Sequence, residues 1–175
     1  MGSGKTQFVM HLVDSADAMI EPTPCKIVYY FAEYQPLFEH YEDRIEFRHG
    51  MPKVDVIDRL TDTLDQRLTR MFTRGLHHRN VLVIFMVQNF FNKYRHMRTI
   101  SLNAQYIVLF KNPRDSSQFV HLAKKLYPHN SRFEHEAYVD ATKRPYGYIL
   151  LDLRSDQRLR TNIFPGKCQI VYVPK

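Results

Sequence analysis

Gly2-Ser3-Gly4-Lys5-Thr6 stands directly before Phe8, Val9, Leu12 and Val13, four apolar residues at helical spacing. The first N–H groups of such a helix lack intrahelical partners and carry the positive end of its dipole. A Gly-Lys-Thr run placed there is therefore suited to cradle phosphate. The five residues match the second half of the phosphate-binding loop pattern G-x-x-x-x-G-K-[ST], in which the Lys reaches the β- and γ-phosphates and the Thr hydroxyl holds Mg²⁺. Counting back from Gly4 passes Met1 before the pattern is complete, and the strand that normally leads into the loop falls there too. The expectation is a phosphate-binding loop incomplete at its N-terminal side. The same five residues also occur by chance and in flexible tags; the helix after them and the alternating pattern behind them argue against that origin.

That pattern runs on as short apolar segments separated by amphipathic ones. Residues 26–32 (KIVYYFA) read as a buried strand, and 54–58 (VDVID) as a shorter one. Leu60, Leu64, Leu68, Met71 and Phe72 form a stripe that predicts a helix over about 61–74, stopped by Gly75. Residues 81–87 (VLVIFMV) are the most apolar strand candidate, and 106–110 (YIVLF) are another. Helices are expected over 116–127 and around Phe133, Ala137, Tyr138 and Ala141. Residues 146–153, 158–164 and 169–173 are the final strands. Strands alternating with helices predict one α/β domain over 1–175, its sheet mostly parallel with an antiparallel C-terminal edge.

The formal net charge of +7 suggests an acidic partner, nucleic acid first among them, although a basic soluble surface alone gives the same number. Cys25 and Cys168 form no C-x-x-C pattern, so neither a disulfide framework nor a zinc site is indicated, which fits a reducing, intracellular setting. The run 81–87 is far shorter than the roughly 20 residues of a membrane span. No cationic segment followed by an apolar one opens the chain as a secretory signal would.

Asp58, at the tip of strand 54–58, is placed to orient Mg²⁺, or else merely to cap the helix that follows. Arg59 stands where a second, water-activating acid would be expected. Gln88 and Asn89 end the most apolar strand, where a polar amide could sense a γ-phosphate or simply terminate the strand. Arg114 in KNPRD is a candidate trans arginine finger, with Asp115 as a cap for the next helix. Adjacent His77 and His78 do not share a helix face and have no ligand partner at metal spacing, so a basic loop with Arg74 and Arg79 is the better reading. In 92–98 (NKYRHMR), Lys93, Arg95 and Arg98 interleave with Tyr94. That mixture suits a nucleic-acid channel, cations for phosphates and aromatics for bases, and is equally compatible with a solvated loop.

Taken together, GSGKT, KIVYYFAEYQ, VIDRLTD, FTRGLHHRNVLVIFMVQN, RTISLNAQYIVLFKNPRD and PYGYILLDL resemble the genome-packaging ATPases of Polinton (Maverick) elements and adintovirus-like DNA viruses, members of the FtsK–HerA group of P-loop DNA translocases. The resemblance extends from Gly2 to about Pro165, and its most specific block is 72–115. It implies a RecA-like P-loop NTPase core and a homo-oligomeric ring that drives double-stranded DNA into a capsid with ATP. It also implies ATP and Mg²⁺ as cofactors and a virion or a host nucleus as the place of action. Lys5 and Thr6, with Gly2, Ser3 and Gly4, would bind phosphates, Thr6 and Asp58 would hold Mg²⁺, Gln88 would be the sensor, and Arg114 would be the finger ahead of Arg74.

Two departures from the family pattern shape the functional expectation. Asp58-Arg59 replaces two consecutive acids, and without that carboxylate to orient water, hydrolysis should fall by orders of magnitude. The loop also lacks its front half. An inactive module that keeps nucleotide or DNA affinity is therefore the alternative to a working motor, with a small-molecule or nucleoside kinase behind both. In the implied strand order the strand before the loop would lie between 81–87 and 106–110, so those two are expected to close directly on each other. Gly2 to Lys5 would then be displaced from a productive phosphate-binding shape.

Overall fold

The computed structural model describes residues 4–50, 81–87, 100, 102–111, 131–154 and 158–174. The chain divides into two compact units, one of Met1–His11 with Asp62–Lys175 and one of Leu12–Thr61. The strand expected at 54–58 and the helices expected at 61–74 and 116–127 lie outside the described residues.

In the first unit, four strands form an antiparallel sheet: β3 (Tyr106–Phe110), β4 (Tyr148–Asp152), β5 (Leu159–Thr161) and β6 (Ile170–Tyr172), adjacent in that order. All three pairings are antiparallel, with Phe110 opposite Tyr148 at one end of the β3–β4 ladder and Tyr106 opposite Asp152 at the other. Alternation of side chains sorts these strands into two faces. Ile107, Ile149, Leu151 and Leu159 meet Ala137 and Tyr138 of a helix (Ser131–Ala141), numbered α3 below, and Phe133 and Ala141 pack against the same cluster. The Tyr138 hydroxyl donates to the Phe110 carbonyl at 3.2 Å, and Thr142 closes the helix by donating to the Tyr138 carbonyl at 2.7 Å. Each large side chain buried here contributes about 1.5–3 kcal/mol.

The opposite face receives Phe8 from α1 (Lys5–Asp14). Its ring lies 4.8 Å from Tyr148, 5.1 Å from Phe164 and 5.8 Å from Phe110, in edge-to-face contacts. Tyr148 is itself pinned from two sides: its hydroxyl accepts the Ile163 amide at 3.0 Å, and its carbonyl accepts the Thr161 hydroxyl at 2.7 Å. This aromatic cluster holds the start of α1 at the end of the sheet where β3 finishes and β4 begins.

The second unit contains the last residues of α1, the short α2 (Ala16–Met19), β1 (Val28–Phe31), a 3₁₀ segment (Pro36–Tyr41) and β2 (Glu46–His49). The two strands pair in parallel, Val28 opposite Glu46 and Phe31 opposite His49. Phe38, fully buried, stacks on Phe47 at 4.7 Å and touches Tyr29 and Phe31. Asp14 accepts from Tyr41 at 3.0 Å and Arg44 at 3.1 Å, and Arg44 also donates to the Val13 carbonyl.

Two expectations need correction. Residues 81–87 form no strand, and Val81, Leu82 and Ile84 are about half exposed. The anticipated closure of 81–87 onto 106–110 is therefore absent; β3 takes β4 as its described partner instead. An apolar run favours burial, yet a strand also needs a neighbour in register, and composition cannot supply one. Parallel pairing is confined, among the described residues, to β1 and β2.

Candidate phosphate site at the start of the first helix

Gly4 opens α1. Its carbonyl accepts the Phe8 amide at 2.9 Å, which starts the helical ladder, and its φ of 82° lies in the left-handed region that favours glycine. Lys5 and Thr6 are the first two helical residues, and both are partly buried. Desolvation holds the Lys5 ammonium below its ordinary pKa. A cation at a helix N-terminus opposes the dipole, and the first turn contains no acid to offset it.

The neighbour of Gly4 is a residue that sequence reading did not single out. A Cβ on Gly4 would lie 3.0 Å from Cδ1 and 3.2 Å from Cβ of Tyr146, so a side chain larger than hydrogen would crowd the tyrosine. Tyr146 belongs to the tight turn from α3 to β4, closed by the Gly147 amide donating to the Arg144 carbonyl at 3.0 Å. Gly147 has no room for a Cβ, which would come 2.5 Å from the Ala141 carbonyl oxygen. The turn sets Tyr146 at φ 59°. Pro145-Tyr146-Gly147 signals a turn in the sequence; its contact with a glycine more than a hundred residues away has no local signature.

Of the other predicted site residues, Gly2, Ser3, Asp58, Gln88, Arg114, Lys93, Tyr94, Arg95 and Arg98 lie outside the described residues, as do Arg59 and Arg74. Thr6 is therefore the one described member of the proposed Mg²⁺ pair. No group of three or more His, Cys, Asp or Glu side chains able to hold a metal occurs among the described residues. No described helix is long and apolar enough to cross a membrane.

Two charged features escaped the sequence reading. At the far end of the β3–β4 ladder, buried Asp152 accepts the Arg154 backbone amide at 3.2 Å and its guanidinium at 3.1 and 3.2 Å, and lies 3.3 Å from Arg160. Burial pushes this carboxyl up, but the Arg154 hydrogen bonds and both positive charges outweigh it and hold the pKa below the ordinary value. The Arg154 guanidinium also lies 4.7 Å over the Tyr106 ring. The second feature is Glu134 on α3, only 1% exposed, whose carboxylate oxygens have no hydrogen-bond partner among the described residues. Burial raises its pKa to about 7. It occupies the same helical stripe as Ala137, Tyr138 and Ala141, where an apolar residue would be expected.

Comparisons with protein-family models, with curated proteins and with solved structures return no match.

Proposed function

We propose that the chain is a P-loop ATPase subunit with a RecA-like core, acting in a homo-oligomeric ring that moves double-stranded DNA, as the resemblance to genome-packaging ATPases implies. The observation that carries the reading is Gly4-Lys5-Thr6 at the start of α1, with a partly desolvated Lys5 and no acid in the first turn. The aromatic contacts of Phe8 support it, because they fix that helix start against the end of the sheet where Phe110 pairs with Tyr148.

In this reading Lys5 neutralises the β- and γ-phosphates of ATP, and the backbone N–H groups after Gly4 hold the phosphate oxygens. Thr6 and Asp58 would hold Mg²⁺, which when bound neutralises charge developing on the transferred phosphoryl group. Gln88 senses the γ-phosphate, Arg114 reaches the neighbouring subunit's nucleotide, and Lys93, Tyr94, Arg95 and Arg98 track DNA. Arg59 favours a second reading for this copy, in which nucleotide is bound without appreciable turnover, since no carboxylate follows Asp58 to orient water.

The test is nucleotide binding and DNA-stimulated ATP hydrolysis by the full chain, with Lys5→Ala and Arg59→Asp as variants. Binding abolished by Lys5→Ala supports the phosphate site. Hydrolysis near background that rises in Arg59→Asp supports the second reading. Binding that is indifferent to Lys5→Ala would remove both.

A further inference from the structure

We infer that Tyr146 is the platform on which the base of a bound nucleoside triphosphate stacks, so that the site at Gly4 takes nucleotides in preference to bare polyphosphate. This rests on the phosphate-binding reading of Gly4, Lys5 and Thr6 and adds the chemical class of what lies beyond the phosphates.

The placement of Tyr146 carries the argument. It neighbours Gly4, one residue before Lys5, so closely that a Cβ added to the glycine would come within 3.0 Å of the ring carbon Cδ1. The side chain is nonetheless 62% exposed, although Tyr148, two residues on, is buried in the sheet. A large aromatic that stands beside the phosphate-loop glycine and leaves most of its surface in water offers a flat apolar face to a ligand. The turn that holds it is closed by the Gly147 amide donating to the Arg144 carbonyl and runs directly into the buried Tyr148. The ring therefore stands on a fixed stem rather than on a free loop. Lys143 and Arg144 precede it, and Lys143 is paired with Asp140 at 3.2 Å.

Stacking on an aromatic face tolerates any base, because each base has a π surface, whereas phosphate binding through N–H groups and Lys5 does not depend on the base at all. The two contributions can therefore be separated by ligand. The full chain is titrated with magnesium complexes of ATP, GTP and inorganic tripolyphosphate by calorimetry, for the wild type and for Tyr146→Ala, Tyr146→Phe, Tyr146→Gly and Lys5→Ala. The expected result is that ATP and GTP bind alike and about tenfold tighter than tripolyphosphate, within the range that stacking on one aromatic supplies. Tyr146→Ala and Tyr146→Gly should erase that preference while leaving tripolyphosphate affinity unchanged, and Tyr146→Phe should keep it. Lys5→Ala should weaken all three ligands together.

Glycine adopts the positive φ of this position freely, so a Tyr146→Gly chain that melts with the wild type excludes unfolding as the cause. The inference is overturned if the wild type binds tripolyphosphate as tightly as ATP, or if the preference survives in Tyr146→Ala. It is overturned equally if Tyr146→Gly weakens tripolyphosphate by the same factor as ATP, which would make the ring a support for the loop. Failure of the phosphate reading itself has a different signature, because then the wild type binds none of the three ligands.

Discussion

The ring of Phe8 meets the ring of Tyr148 edge to face at 4.8 Å, joining the second turn of α1 to the first residue of β4. Phe110 and Phe164 complete the contact. Phe8→Ala removes three aromatic partners at once and should cost about 3 kcal/mol, the lower end of the range for truncating a buried aromatic, because Phe8 is only partly buried. Phe8→Leu should recover more than half of that in urea denaturation. A loss below about 1 kcal/mol for Phe8→Ala would mean that α1 is not anchored through this residue.

Glu134 gives the protein an unusual pH response. Its folded pKa of about 7 lies above the value of 4.5 for an unperturbed Glu, so between those limits the folded state binds more protons than the unfolded one. Stability from this group is greatest below the unfolded pKa and is lost as pH rises through the folded one. The slope is about 1.4 kcal/mol per pH unit, which reaches roughly 3 kcal/mol by pH 8. Glu134→Gln should flatten that dependence, and Glu134→Leu should raise stability at pH 8 as well. A wild-type chain whose melting temperature is unchanged between pH 5 and 8, and equal to that of Glu134→Gln, would show that Glu134 stays ionised with a partner.

How much of this could be read beforehand depended on whether the signal was local. The strand at Tyr106–Phe110 was expected with the same bounds, the three C-terminal strands lie inside the segments read for them, and α3 contains the four residues read as a helix. Their apolar and β-branched residues agree with the burial they receive. Strand β2, with the sequence EFRH, was missed because three of its four residues are polar; Glu46 is held there by Lys26 and Arg48 instead of by burial. Residues 81–87 failed in the opposite sense, with ideal composition and no strand. At the candidate site, Gly4, Lys5 and Thr6 were legible because the loop chemistry is contiguous in sequence. Tyr146 was not, since only the packing of Phe8 on Tyr148 brings the α3–β4 turn to the start of α1.

Asp152 should behave oppositely to Glu134. Its folded pKa is depressed, so its contribution is present above the unfolded pKa near 4 and is lost as pH falls through the folded value. Asp152→Asn leaves the partly exposed Arg160 without its counter-charge and should cost about 1–3 kcal/mol at neutral pH, less than for a fully buried pair because both arginines reach water. Asp152→Asn combined with Arg160→Met removes both charges and should restore part of that stability. If the double variant is as unstable as the single one, the pair is not what holds this end of the ladder.

Binding to DNA provides the test farthest from the nucleotide. With a net charge of +7 and the cations Lys93, Arg95 and Arg98 interleaved with Tyr94, the full chain should bind duplex DNA weakly and without sequence preference. Each phosphate contact neutralised releases condensed counterions, so the logarithm of the affinity should fall linearly with the logarithm of salt, by about 0.9 per contact. Replacing Lys93, Arg95 and Arg98 together by Gln should lower the slope by about 2–3 and weaken binding evenly across sequences. Tyr94→Ala should leave the slope untouched, because stacking releases no counterions. A single-stranded probe should lose more affinity than a duplex in that variant, since its bases are open to the ring. Affinity that stays flat between low and moderate salt would show that the positive charge of this chain does not follow a phosphate backbone, and would remove DNA from the proposed function while leaving the phosphate site at Gly4 to stand or fall on the nucleotide titrations.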